Sequence, residues 1–354
     1  MTTDGTRRVT LATVASALGV SRATVSNAYN HPERLSAQLR TRILATARDL
    51  GYAGPDPLAA TLARGRVAAL GVVIGEPVSF AFSDPAAALF MEGVAEVCER
   101  EGLALVMVPG RRSAAARVAL VDGVVCYCDF PDDRTFGVIR ERGLPFVIVD
   151  GPRFDGAGHV GIDDEAGAYA AARHLLDLGH TRLGIVPMPM LGDGWEGAPS
   201  APRQAGVQYH ATRRRLAGYR RAVEEAGLPW EDTAIEERAP YGRDAGRRAT
   251  SALLAGRPRP TALLAMSDEL AAGALDALAA AELSVPGDVS VVGFDDVPAA
   301  ATGRPPLTTV RQPHREKGRR AAEMVLRPSL PVEPVVLGSD LVVRGSTGPC
   351  RRGR

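Results

Sequence analysis

Apolar residues recur at helical spacing over the first fifty positions. Leu11, Val14, Ala15 and Leu18 share one face, the three-and-four period of an amphipathic helix. Thr10 precedes them as a capping residue type, and Gly19 permits a tight turn. Ser21 then starts a second helix running to about Tyr29, with Val25 and Ala28 inward. After "NHPERL", Ser36 caps a third helix that carries Leu39, Ile43, Leu44, Ala47 and Leu50 toward the same interior. The pattern stops at "GYAGPDP", where two glycines and two prolines mark a linker. "LAATLARGR" follows, helix-capable but too short to be stable alone.

From Ala68 the texture changes. The runs "ALGVVIG", "LALVMVP", "DGVVCYC", "PFVIVDG", "RLGIVPM", "TALLAMS" and "VSVVGFDD" are continuously apolar and of strand length, with helical stretches such as Pro85 to Arg100 between them. Strands without polar alternation, separated by helices, predict parallel sheets covered on both faces. The region of roughly 280 residues exceeds one comfortable sheet, so two similar α/β lobes are expected. The predicted fold class is therefore a small all-α head followed by a two-lobed α/β core. One segment, Pro187 to Thr212, is rich in Gly and Pro and has no period. A loop that long in a compact domain is either functional or disordered.

Hydrophobic residues make up 45% of the 354 and charged residues 23%, the balance of a packed globular chain. The net charge of +1 hides an asymmetry. Residues 1–66 hold nine arginines and four acidic residues, a net +5, whereas the rest holds 33 basic and 37 acidic residues. A basic head on a mildly acidic body suits a polyanion at the head only. Lys317 is the only lysine, and the Arg, Ala and Gly content reads as a compositional bias. Cys98, Cys126, Cys128 and Cys350 form no metal pattern, and Cys126 with Cys128 would share one strand face as core. His174 and His180 also lie outside any metal spacing and read as structural. No secretory signal and no apolar run near the roughly 20 residues of a membrane span are present, so a cytoplasmic protein without a membrane partner is expected. Nucleotide-binding glycine loops, zinc motifs and nucleophile elbows are missing. Asp295 and Asp296 are adjacent on a strand and would point to opposite faces, a poor acid–base pair. No enzyme and no cofactor is expected.

The head has the spacing of a helix-turn-helix, whose slim second helix enters the major groove with donors at its N-terminal end. Arg22 can grip a guanine bidentately, Asn27 can read an adenine or a phosphate, and Ala23 can touch a thymine methyl. Thr10, Ser21, Thr24 and Ser26 can donate to phosphates, and Asn30 closes the same polar helix. The predicted partner is double-stranded DNA.

"VTLATVASALGVSRATVSNAYN" with "LSAQLRTRILATARDLGY" resembles the DNA-binding head of the LacI/GalR repressor family. The resemblance continues in order through "LAATLARGR", "DDEAG…HLLDLGHTRLGIV", "RRRLAGYRRAVEEAGL", "AMSDELAAGALDAL", "VPGDVSVVGFDD" and "PPLTTVRQPHREKGRRAAEMVL", from about Val9 to Thr347. It implies a head over 1–56, a hinge helix over 57–66 and a periplasmic-binding-protein-like core over 67–347. Within that core the N-lobe would take 67–162 and 312–340, and the C-lobe 163–311 and 341–347. Residues 348–354 are expected as a disordered tail. In the resemblance, paired hinge helices of a homodimer meet in the minor groove and Leu62 wedges between base pairs, with Ala59, Ala60 and Ala63 small enough for close approach. "GYAGPDP" is a residue longer than in the best-known members, which loosens the hinge register. Many members carry Arg where this chain has Asn27, so operator preference does not transfer.

For the core, the resemblance implies a cleft between lobes for a small-molecule effector such as a sugar. Arg215, Tyr241, Ser267 and Asp295 match effector positions of the C-lobe, and Asp150 with Phe82 or Asp84 those of the N-lobe. Asp164 and Asp296 have a plainer reading as caps, and Asp268 follows Ser267 without an assigned role. The implied function is a dimeric, effector-controlled regulator on a near-palindromic operator, most simply a repressor. Both induction and corepression are open. The alternative is a solute-binding protein of periplasmic type, which shares the two lobes but leaves the basic head without a purpose.

Overall fold

The computed structural model describes residues 9–54, 67–110, 113–127, 134–327 and 333–351. The expected hinge segment, including Leu62, Ala59, Ala60 and Ala63, lies outside the described residues, as does Cys128. The chain forms two units, a head up to Val67 and a body from Ala68.

In the head, helices α1 (Leu11–Leu18), α2 (Arg22–Asn30) and α3 (Ala37–Asp49) enclose Val14, Ala15, Val25, Ala28, Ile43 and Ala47. Thr10 and Thr13 form a reciprocal capping box on α1, and Gly19 closes that helix at φ 67°, a left-handed conformation open to glycine without strain. Ser21 and Ser36 accept from the backbone amides of Thr24 and Leu39 to start the next two helices. Leu50 departs from the expectation. It stands just past the end of α3, 38% exposed, because the chain turns at Gly51 (φ 75°) before another helical turn can carry it inward.

The body contains two six-stranded sheets. In the first, all-parallel sheet the order is β11 (Val335–Leu337), β5 (Gly158–Ile162), β4 (Phe146–Val149), β3 (Gly123–Tyr127), β1 (Ala69–Ile74), β2 (Ala104–Pro109). The second runs β12 (Asp340–Val342), β10 (Thr308–Arg311), β9 (Ser290–Asp295), β8 (Ala262–Ala265), β6 (Leu183–Val186), β7 (Ala234–Ile235), parallel except for β12. Every residue of β1, β3, β4, β6, β8 and β9 is buried, as continuous apolar runs demand when helices cover both faces.

Helix α4 (Pro85–Glu101) serves the first sheet. Helices α5 (Asp164–Asp177), α6 (His210–Glu225), α7 (Arg243–Ala255) and α8 (Asp268–Ala280) serve the second, and α9 (His314–Leu326) returns to the first. Helices α4 and α9 cross closely because glycines meet there: a Cβ at Gly318 would overlap the Phe90 carbonyl, and one at Gly93 the Arg315 carbonyl. The chain passes between lobes three times, after Ile162, after Arg311 and between Leu337 and Asp340. These crossings put residues 312–314 at the junction of the lobes.

The segment from 348, expected to be disordered, is held in place as far as Arg351. Gly348 donates to Ser290 Oγ (3.1 Å), and Cys350 donates to the Leu178 carbonyl (2.8 Å). His180 bridges Thr261, Ser290 and the Gly348 carbonyl at 3.0–3.1 Å, and His174 meets Thr347 Oγ1 at 2.9 Å. Backbone polar groups hold this tail, and an apolar pattern cannot announce that. No described helix is long and apolar enough to cross a membrane.

Candidate functional site

At the head, α2 presents Arg22 and Ala23 exposed in its first turn, next to the amides that Ser21 caps. Among the described residues Arg22 has no acidic partner, so its guanidinium is open to an outside acceptor. Ser21 Oγ and Thr24 Oγ1 lie 2.8 Å apart, and Asn30 Nδ2 donates to Ser26 Oγ at 3.2 Å. Asn27 is half-buried on the same helix, whose Val25 and Ala28 face the core. Thr10, one helix earlier, is exposed.

The body has a cleft between its lobes, a space of about 860 Å³ that includes its open, solvent-filled mouth. Asp84, Asp150, Arg215, Tyr241, Ser267 and Asp295 all line it, together with Phe80, Tyr127, Tyr209, Thr212, Gln312 and His314. Asp150 follows β4 and Asp295 ends β9, both at carboxyl edges of parallel sheets, where such folds bind ligands. Both have positive φ, 54° and 126°, a strain of ~1–3 kcal/mol each for non-glycine residues. Tyr241 spans the lobes: its hydroxyl donates to Asp84 Oδ2 (3.2 Å) and lies 3.0 Å from Ser267 Oγ. Asp84 and Ser267 also cap α4 and α8 through the amides of Ala87 and Leu270, which fixes both side chains.

The cations of the cleft are already matched. Arg215 donates from Nε to Asp164 Oδ1 (2.8 Å) and from Nη1 to the Met266 carbonyl, and its guanidinium lies 3.7 Å from the centre of the Phe294 ring. Lys317, fully buried at 0% exposure, donates to both Asp150 oxygens (2.8 and 2.6 Å) and to Gln312 Oε1. Gln312 in turn donates to Asp295 Oδ1 at 2.6 Å. A continuous relay thus runs from the first lobe through the crossing segment to the second.

Asp84 and Asp295 have no directly bonded cation among the described residues, and Glu76 is a further carboxylate of the lining. Burial raises the pKa of both aspartates, and at Asp295 it prevails over the nearby Arg215 and Lys317 charges. His314 is 5% exposed, and neither ring nitrogen has a hydrogen-bond partner among the described residues. Burial first, then the Lys317 charge, holds its pKa down at about 3, so the ring is neutral.

Several sequence expectations change. Phe82 is 74% exposed and absent from the cleft lining; Phe80 faces the cleft instead, because two positions along a helical turn point nearly opposite ways. Arg215 is not a free anion fork, since Asp164 neutralises it. Asp164 is therefore an ion-pair partner, and Asp163 is the cap of α5. Asp296 accepts from Arg311 (2.7 Å) and Arg344 (2.6 Å) instead of capping a turn. Asp268 is buried against Thr309 Oγ1 and the Val297 amide, its pKa pushed up to about 7 chiefly by burial. Gln312, His314 and Lys317 were missed; the signal was a lone lysine in an arginine-rich chain, beside "QPH". Among the described residues no group of side chains could hold a metal ion.

Comparison with known proteins follows the same division. The model of bacterial regulatory proteins, lacI family, matches residues 10–54, and a periplasmic binding protein-like domain matches residues 172–347. An HTH-type transcriptional regulator of Mycobacterium tuberculosis is 42% identical over 97% of this chain and 98% of its own. A crystal structure of a LacI-family transcriptional regulator from Corynebacterium glutamicum has a TM-score of 0.73 at 34% identity, covering 98% of this chain and 100% of that one. The complex of the transcriptional regulator CelR with cellobiose has a TM-score of 0.68 at 28% identity, covering 96% and 100%. With a helix-turn-helix head, a two-lobed body and relatives matched along nearly their whole length, the chain belongs to the LacI family of bacterial transcriptional regulators.

Proposed function

We propose that this regulator binds a near-palindromic operator as a homodimer and that a neutral, hydroxyl-rich molecule in the interlobe cleft controls its DNA affinity. The observation that carries the effector class is the charge balance of the cleft. Arg215 and Lys317 are spent on Asp164 and Asp150, while Asp84 and Asp295 face the cavity from opposite lobes. Carboxyl groups hydrogen-bond sugar hydroxyls readily, and with Arg215 and Lys317 already paired neither is free to hold a phosphate, so a sugar or polyol fits better than a sugar phosphate. The cellobiose bound by CelR is of this class.

Arg22, Ala23 and Asn27 would read half a site, with Thr10, Ser21, Thr24, Ser26 and Asn30 placing the head on phosphates. Leu62 would wedge the minor groove. An effector touching Asp84 and Asp295 together changes the free-energy balance between lobe arrangements, which is how a cleft is coupled to a distant head. The body acts by binding and not by catalysis: Asp296, bound to Arg311 and Arg344, is unavailable as a partner for Asp295. Action on DNA puts the protein in the cytoplasm. Selection of random duplexes by the full-length protein tests the DNA half. Two inverted half-sites should be enriched, and enrichment of an unsymmetrical site, or of none, would overturn the dimeric reading.

A further inference from the structure

The segment 187–212 is ordered, and its bonding shows what it builds. Arg203 forks across Asp193 (2.8 and 3.0 Å) and the buried Glu237 (2.7 and 3.0 Å), and Glu237 also accepts from the Met190 amide at 2.9 Å. Gly197 and Glu237 exchange backbone hydrogen bonds, Glu196 accepts from Arg248, and Gln204 accepts from Trp230 Nε1. A loop tied at so many points is a wall.

Against this wall lies a second chamber of about 360 Å³ that opens to solvent. Pro189, Leu191, Trp195, Tyr209, Pro240 and Tyr241 line it, with Glu76 from the other lobe. Pro189, Tyr209, Tyr241 and Glu76 line the inner cleft too, so the two spaces adjoin across these residues. Trp195 is 37% exposed at the chamber, and the Arg203 guanidinium, 4.3 Å from its ring centre, fixes its orientation. Asp193 and Glu237 already neutralise that guanidinium, so the chamber combines Trp195, proline and leucine surface with the carboxylates of Glu76 and Glu237 and takes no free cation from the loop.

We propose that this chamber is a second ring subsite, and that the effector consists of two linked neutral rings. This rests on the effector reading above. The inner ring meets Asp84 and Asp295; the outer ring lays its C–H face on Trp195. An aromatic platform beside proline and leucine favours a glycosidically linked pyranose or aryl ring, whose hydroxyls the rim carboxylates can accept, and the loop offers no free cation to an anionic substituent.

Calorimetric titration of the full-length protein tests this with matched probes: glucose, galactose, xylose and myo-inositol against cellobiose, lactose, xylobiose and 4-nitrophenyl glycosides. The best two-ring probe should bind more tightly than its one-ring component by about 3- to 10-fold. Trp195→Ala should remove that gain and leave one-ring affinity within about twofold, while Trp195→Phe keeps most of it. One-ring probes binding as tightly as two-ring ones, or Trp195→Ala binding both as the wild type does, would overturn the subsite. Asp295→Asn separates the two ideas. It should weaken both probe classes; if it weakens neither, or if no probe binds the wild type, the effector reading fails and the subsite with it.

Discussion

His314 gives the sharpest energetic test of the cleft. Its ring is buried, both nitrogens are without partners among the described residues, and the nearest carboxylate oxygen, Asp295 Oδ1, is 3.9 Å from Nε2. In the folded chain its pKa is about 3, against 6.5 for an ordinary imidazole. Between pH 7.5 and 5.5 the unfolded chain therefore takes up a proton that the folded chain does not. The unfolded state binds more protons, so this residue makes stability fall as pH falls through 6.5. Over that interval the loss is about 1.4 kcal/mol. His314→Phe keeps a planar ring and removes the proton site. At pH 7.5 the variant should be as stable as the wild type or slightly more so, because two orphaned polar atoms are gone. At pH 5.5 its advantage should have grown by about 1.4 kcal/mol. Urea unfolding followed by fluorescence of Trp195 and Trp230 at both pH values measures this, and other titrating groups cancel in the comparison of variants. An advantage that is the same at both pH values would mean that His314 protonates inside the fold, and the reasoning would fail.

Other expectations rest on separate features. Arg22→Ala should weaken binding to a selected operator by about 1–3 kcal/mol and leave random DNA nearly unaffected; equal losses in a binding titration would reassign Arg22 to the backbone. Lys317→Met strands the Asp150 carboxylate and should cost about 3–5 kcal/mol in denaturant unfolding. A smaller loss would mean that water reaches Asp150. Gly318→Ala places a methyl on the Phe90 carbonyl and should destabilise the fold by about 1–3 kcal/mol. Gly137→Ala, with nothing within 4 Å of the new carbon, should instead gain about 0.5–1 kcal/mol in thermal melts. The two substitutions behaving alike would refute the close helix crossing.

The elements that periodicity and continuous apolar runs reveal are the long or fully buried ones. Helices α1 to α3 and strands β1, β3, β4, β6, β8 and β9 carry such runs in their own residues. Strands β5, β7, β10, β11 and β12 do not: "GHVGI" mixes glycine and histidine, and β7 has two residues. Pairing with neighbours from distant sequence defines these strands. The same division holds for the cleft. Asp150, Ser267 and Asp295 stand at strand ends, where the family pattern and the fold rule both point. Gln312 and His314 reach the cleft, and Lys317 reaches its Asp150 and Gln312 from behind, only because the chain crosses between lobes at 312–314, a fact of topology. Phe80 and Phe82 could not be separated without the helical turn that sets their directions. In segment 187–212, order comes from Arg203 joining Asp193 of the same segment to the more distant Glu237, which no apolar period encodes.

The central claim is that a ligand held by Asp84 and Asp295 controls DNA binding by the head. Its most direct test is fluorescence anisotropy of a selected operator duplex, titrated with full-length protein in the presence and absence of the best-binding probe. The operator affinity of the wild type should shift by about 5- to 150-fold, in either direction, and that of Asp295→Asn should not move while its affinity without probe stays as in the wild type. A probe that saturates the cleft and leaves operator affinity unchanged, or one that shifts Asp295→Asn equally, would contradict it.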